Sequence, residues 1–200
     1  RLVDVRAHFV AASPDGILGS ELMLEHVHPN AEGYFLLADA FYEALKQAGE
    51  IGDWSGAPGR EAARRDMPLT AIDRLLAGYD LQELRSGFPF SDPPRAFAVP
   101  APASEIERLA QALRARTLDW VHAMDALFAL HLRSGRTAEA ARVARLIAQA
   151  YPTDRTPNLV AARLLVETGR QRLALRYLDR VLEGWPGDRE ALALRDSLAE

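Results

Sequence analysis

A period of 34 residues in the C-terminal half constrains this 200-residue chain more than any other feature. Gly135 and Gly169 stand one period apart, and so do Pro152 and Pro186. The positions around them agree in type: Ser134-Gly135-Arg136 with Thr168-Gly169-Arg170, Ala140 with Ala174, Ile147 with Val181, and Tyr151-Pro152 with Trp185-Pro186. A repeat of this length holds two helices. The mid-repeat glycine turns the chain, the small residue after it lets the two helices approach, and the proline cannot continue the second helix. The repeats fall at about 121–154 and 155–188, and Arg189–Ala199 follows as a third, capping helix.

This pattern resembles the tetratricopeptide (TPR) repeat, over about residues 104–200. The resemblance implies antiparallel helix pairs whose first helices line a concave groove for a protein or peptide ligand. By position in the repeat, His122, Asp125, Ala129, Leu132 and Arg133 face that groove from the first unit. Thr156, Leu159, Arg163, Val166 and Glu167 do so from the second. Arg133 and Arg163 suit a carboxylate through paired hydrogen bonds; the same residues also read as plain solvated surface. Solenoids need about three repeats to be stable, and only two are complete. A helix opened by the capping box Ser104-Glu105-Ile106-Glu107 and running to Arg116, with one at Ala71–Arg85, is therefore expected to cap the array and dock it against the preceding domain.

Residues 1–48 differ in kind. Leu2-Val3-Asp4-Val5 reads as a short buried strand, and Ser13-Pro14-Asp15-Gly16 as a turn. From Ala31 to Gln47, apolar residues recur at helical spacing (Tyr34, Leu37, Ala38, Phe41, Leu45), and Gly49 stops the helix. Residues 49–103 are a linker-like region with one helix, capped by Thr70-Ala71-Ile72-Asp73 and ended by Gly87. The rings of Phe88-Pro89-Phe90 are expected to pin the next stretch onto a neighbour, and Pro93-Pro94 and Pro100-Ala101-Pro102 to keep it extended.

The chemistry concentrates in Glu25-His26-Val27-His28-Pro29-Asn30-Ala31-Glu32-Gly33. A carboxylate three residues before a histidine can accept the imidazole N–H and fix the tautomer, leaving the other nitrogen as general base for a nucleophile. His26 and His28 also alternate as two metal ligands would, without a clear third. His8, His122 and His131 are scattered and read as core or surface.

This block is similar to the last sequence block of SGNH/GDSL hydrolases, an acid-x-x-His-Pro pattern followed by a Gly and an amphipathic closing helix. Val3-Asp4-Val5 and the Gly16–Gly19 loop resemble that family's final strand and the loop before the motif. The resemblance covers residues 1–48. It implies the end of an α/β/α domain that hydrolyses esters or related acyl bonds, with His28 as general base and Glu25 as its orienting acid. Glu25 stands where the family usually has Asp. The family's Ser, Gly and Asn blocks lie upstream of this segment and none is present, so these residues alone are expected to be inactive.

Composition narrows the rest. With no cysteine there is no disulfide framework, thiolate metal site or cysteine nucleophile, and the compartment stays open between cytoplasm and exterior. No apolar run reaches the roughly 18 residues that span a bilayer. Arg1–Val10 lacks the marks of a signal peptide, and the start at Arg1 reads as the continuation of a longer bacterial protein. The net charge of −4 divides into an acidic first half and a weakly basic second half, and neither is a nucleic-acid footprint. No metal or other cofactor is called for. The expected architecture is mainly α: a strand-plus-helix remnant at 1–48, a linker region at 49–103 and helical hairpins at 104–200. Two functions follow: part of a serine ester hydrolase with appended interaction repeats, or a non-catalytic TPR scaffold with a degenerate SGNH-like part.

Overall fold

The computed structural model describes residues 2–49 and 52–198 and divides the chain into two compact units, Arg1–Met67 and Pro68–Glu200. Among the described residues there are ten α-helices, one 3-10 turn and no β-strand, so the fold is mainly α. None of these helices is long and apolar enough to cross a membrane.

In the first unit, α1 (Val5–Ala12) begins where the sequence predicts a strand. Asp4 is its N-cap, and its carboxylate accepts the Ala7 N–H at 3.0 Å. A lone strand leaves its ladder groups unpaired, and no partner strand exists among the described residues. Asp4 satisfies a helical donor instead, and Leu2 is left almost fully exposed. The turn predicted at Ser13–Gly16 forms as one 3-10 turn (Pro14–Gly16), with the Ser13 hydroxyl donating to the Phe9 carbonyl at 2.8 Å.

The following helix, α2 (Ala31–Ala48), has the expected limits. Asn30 caps its start, and Gly49 ends it in the left-handed region at φ 65°. The buried face is not the predicted stripe. Gly33, Leu36 and Ala40 are buried, whereas Tyr34, Phe41 and Leu45 are about half exposed. Both stripes have helical spacing, and periodicity alone does not rank them. The close approach allowed by Gly33 does. Phe9, Leu22 and Leu36 form the small core, with Val5, Met23 and Leu37 around it.

A short helix that the sequence reading lacks, α3 (Arg60–Arg65), is tied to α2 by Arg60–Asp39 at 3.0 Å and Arg64–Glu32 at 2.7 Å. Such exposed pairs contribute under about 1 kcal/mol each.

In the second unit, α4 (Ala71–Ser86) carries the predicted capping box. The Thr70 hydroxyl accepts the Asp73 N–H at 3.2 Å, and the Asp73 carboxylate accepts the Thr70 N–H at 2.7 Å. Phe88 does not pin the chain, being 82% exposed, and Phe90 is 42% exposed. They fall on the bend after Gly87, whereas Phe97 and Val99, two residues apart on the extended run, reach one side and pack on the core.

At the start of α5 (Glu105–Arg114) the Ser104 hydroxyl accepts the Glu107 N–H at 3.1 Å, and the Glu107 carboxylate reaches back to the Ala103 N–H at 2.6 Å. Packing of α4 on α5, and of α5 on the next helix, joins Ile72, Tyr79 and Ala110 to Met124, Leu127 and Val143 in one cluster. That closes the N-terminal end of the helical stack.

The stack continues with α6 (Trp120–Arg133), α7 (Thr137–Ala150), α8 (Arg155–Glu167) and α9 (Gln171–Gly184), each packed on the next. It ends with α10 (Arg189–Asp196), packed on α9. The capping helix is predicted to Ala199, which lies outside the described residues. The two repeat turns share one pattern of backbone hydrogen bonds. Gly135 and Gly169 adopt φ 67° and 74°; Arg136 N–H donates to His131 O at 2.9 Å, and Arg170 N–H to Leu165 O at 2.7 Å. Each is a Schellman cap, which needs a left-handed residue.

Ala140 and Ala174 are fully buried at the close approach of each pair. Alanine at Gly135 or Gly169 is expected to cost about 1 kcal/mol, because a Cβ is unfavourable at positive φ. Urea unfolding measures it, with Gly184→Ala, a helical glycine outside the positive-φ region, as the control that should not destabilise.

Candidate functional site

The histidine block sits on a loop that its own hydrogen bonds fold into a narrow hairpin. Leu24 N–H donates to His28 O at 2.8 Å and Asn30 N–H to Leu22 O at 2.9 Å, which pairs Met23 with Pro29. Asn30 locks this hairpin to α2. Its side-chain oxygen accepts the N–H groups of Glu32 and Gly33, and its amide nitrogen donates to Ser20 O at 2.9 Å. Gly33 makes the closest approach: a Cβ there would lie 2.2 Å from the Leu22 carbonyl oxygen and 2.8 Å from Pro29 Cβ. The close packing is against the hairpin backbone, and not against a strand.

Within the hairpin, Glu25 is the hub. Its side chain is only 4% exposed. It accepts the backbone N–H groups of Val27 at 2.9 Å and His28 at 3.1 Å, and it is hydrogen-bonded to His28 Nδ1. His26 Nδ1 lies 2.8 Å from its second oxygen. The extra methylene of Glu over Asp does not prevent contact with His28. The His28 side chain is 66% exposed. With Nδ1 held by the carboxylate, Nε2 is left as the basic nitrogen, the arrangement a general base needs. Among the described residues no serine hydroxyl reaches His28: Ser13 donates to Phe9 O, and Ser20 meets Asn30 through its carbonyl. No group of three or more His, Asp or Glu among the described residues is arranged to hold a metal ion.

Removal from water pushes the Glu25 carboxyl up, but the Val27 N–H, the His28 side chain and the charge of both imidazoles outweigh it, and the pKa lies below the ordinary 4.5. A depressed carboxyl stabilises the folded loop fully above its unfolded pKa, and that contribution disappears as pH falls through the folded value. The His26 and His28 ring signals are therefore expected to shift together below pH 4.5, as Glu25 takes up its proton. An NMR pH titration of the imidazole protons reads this, with Glu25→Gln abolishing the low-pH step.

The predicted groove residues do not form one open set. Leu159 is 3% exposed and belongs to the core with Leu165 and Leu178, because α8 turns that position onto α7 and α9. Arg163 is engaged by Glu190, and Arg133 by Glu105 at 3.1 Å, so neither guanidinium waits for an external carboxylate. His122 is exposed, with Nδ1 at 2.7 Å from the Asp119 carboxylate that caps α6. Glu167 is exposed at the end of α8. Asp125 borders an apolar cavity of about 140 Å3 between α6, α7 and α8, with Phe128, Ile147 and Val160.

Sequence spacing gives no hint of another juxtaposition. Arg74, Arg136 and Arg142 converge with His131 on one cavity, although 68 positions separate the first arginine from the last. Comparisons with protein-family models, with curated proteins and with solved structures find no match to this chain.

Proposed function

We propose that residues 1–48 are the closing segment of an SGNH/GDSL-type serine ester hydrolase, and that residues 104–200 are TPR repeats offering a protein-binding surface. The observation that carries the first half is the Glu25–His28 pair on its rigid hairpin. In this reading a serine from the upstream part of the hydrolase domain, outside these 200 residues, gives its hydroxyl proton to His28 Nε2 as its oxygen attacks the ester carbonyl. The imidazolium, stabilised by Glu25, returns the proton to the leaving alkoxide. Water then repeats the sequence and releases the acid. The exposed apolar stripe of α2 supports this reading. A closing helix in a layered α/β/α domain buries one face on its sheet, and Tyr34, Phe41 and Leu45 are uncovered here. The repeated Schellman turns and the buried alanines at matching positions support the TPR reading.

The test is labelling of the intact protein containing this segment with a fluorophosphonate, comparing wild type with His28→Ala. Labelling that disappears in the variant is the expected result. A folded wild type that does not label would favour the second reading, a non-catalytic TPR scaffold with a degenerate SGNH-like part. That reading draws on one observation: Glu25 divides its two oxygens between His26 and His28.

A further inference from the structure

In the second unit a cavity of about 340 Å3 opens between α4, α5, α6 and α7. Arg74, Arg136 and Arg142 line its wall together with one carboxylate residue, Glu139. Thr70 and His131 complete the polar lining. His131 is 6% exposed, and its Nδ1 is buried without a hydrogen-bond partner. A buried nitrogen left unpaired is costly, and native structures rarely keep one without a reason. Burial, then the positive charge of Arg136, outweigh Glu139 and hold the His131 pKa below its ordinary value of 6.5. The ring is therefore neutral at pH 7 and has one N–H to donate.

Three arginines from two helices and an interhelical turn gather around a space of ligand size. Ligand pockets usually enclose about 300–1,000 Å3. Arginine presents a planar fork of donors that fits phosphoryl oxygens. A phosphate monoester carries about −1.5 to −2 at pH 7, a sign suited to a wall with more arginines than carboxylates.

We propose that this cavity binds a small phosphoryl-bearing anion, clamped by Arg74 and Arg136 with His131 as an additional donor. The site lies on other residues than the histidine hairpin, so it stands or falls independently of the hydrolase reading. The shared chemistry is a tetrahedral dianion, either free phosphate or the phosphate of a small monoester.

The test uses the whole 200-residue chain. Inorganic phosphate, glycerol phosphate and acetate are titrated separately while calorimetry records heat and NMR follows the His131 ring protons. Saturable binding of a phosphoryl compound, with the His131 signals moving in step and acetate inert, is the expected result. Tighter binding of glycerol phosphate identifies a monoester site; equal or tighter binding of inorganic phosphate identifies a free-phosphate site. Arg74→Gln and Arg136→Gln should each weaken binding about tenfold, while Arg95→Gln, which removes the same charge outside the cavity, leaves it within about twofold. Both arginines are exposed, and circular dichroism checks the fold; if Arg136→Gln unfolds, Arg74→Gln alone carries the comparison. Absence of saturation up to about 50 mM, or equal weakening by Arg95→Gln, would overturn the proposal.

Discussion

Replacing Gly33 by alanine is expected to destabilise the first unit by about 3 kcal/mol, the upper part of the range for forcing atoms into a filled space. The added Cβ would sit 2.2 Å from a backbone oxygen, that of Leu22, and 2.8 Å from a proline ring. Neither obstacle is the free end of a flexible side chain. The Leu22 carbonyl also accepts the Asn30 N–H, so moving it breaks the hairpin pairing that holds His28. Among the described residues the core of this unit holds three buried large side chains, Phe9, Leu22 and Leu36. Small cores leave a net stability of about 3–5 kcal/mol, so the loss removes most of it. Native-state hydrogen exchange of the α2 amides measures the change: protection should fall by about two orders of magnitude. Gly56→Ala, whose Cβ would meet nothing within 4 Å, should leave protection unchanged. Retained protection in Gly33→Ala would mean that the hairpin and α2 separate easily.

The second large effect concerns Glu25. If His28 is the general base, Glu25→Gln in the intact protein should slow fluorophosphonate labelling and ester turnover by about three to four orders of magnitude. The glutamine side chain keeps one of the two backbone contacts, the Val27 N–H, while the His28 N–H, bound to the other carboxylate oxygen, loses its acceptor. What it loses is charge beside the imidazolium, and the amide NH2 turned toward Nδ1 favours the wrong tautomer. Glu25→Asp should recover part of the rate. A drop of less than about tenfold in Glu25→Gln, with the hairpin signals intact, would reduce Glu25 to a loop-shaping residue.

Much of the second unit was legible because its signals are local. A glycine that must take positive φ, an alanine at a helix crossing and a proline past a helix end each act within a few residues. Their recurrence after 34 positions therefore reads directly as two helix pairs. The capping box at Thr70–Asp73 and the stop at Gly49 are local in the same way. Glu25 and His28 lie in one turn of chain, and their contact follows from spacing.

Other features were not local. Leu2–Val5 has the composition of a strand, but a strand exists only through a partner, and without one Asp4 caps a helix. Whether α2 buries Leu36 or Phe41 depends on which side meets the Leu22 backbone. Leu159 holds a groove position in the repeat yet is swallowed by α7 and α9. The arginines at 133 and 163 found acids on other helices. By itself, then, the sequence determined where α2 and the helices of the second unit begin, turn and end, together with the Glu25–His28 pairing, because hydrogen bonds within one turn decide those. The tertiary structure alone decided which faces are buried and which distant charges meet, because those energies exist only between elements far apart in the chain.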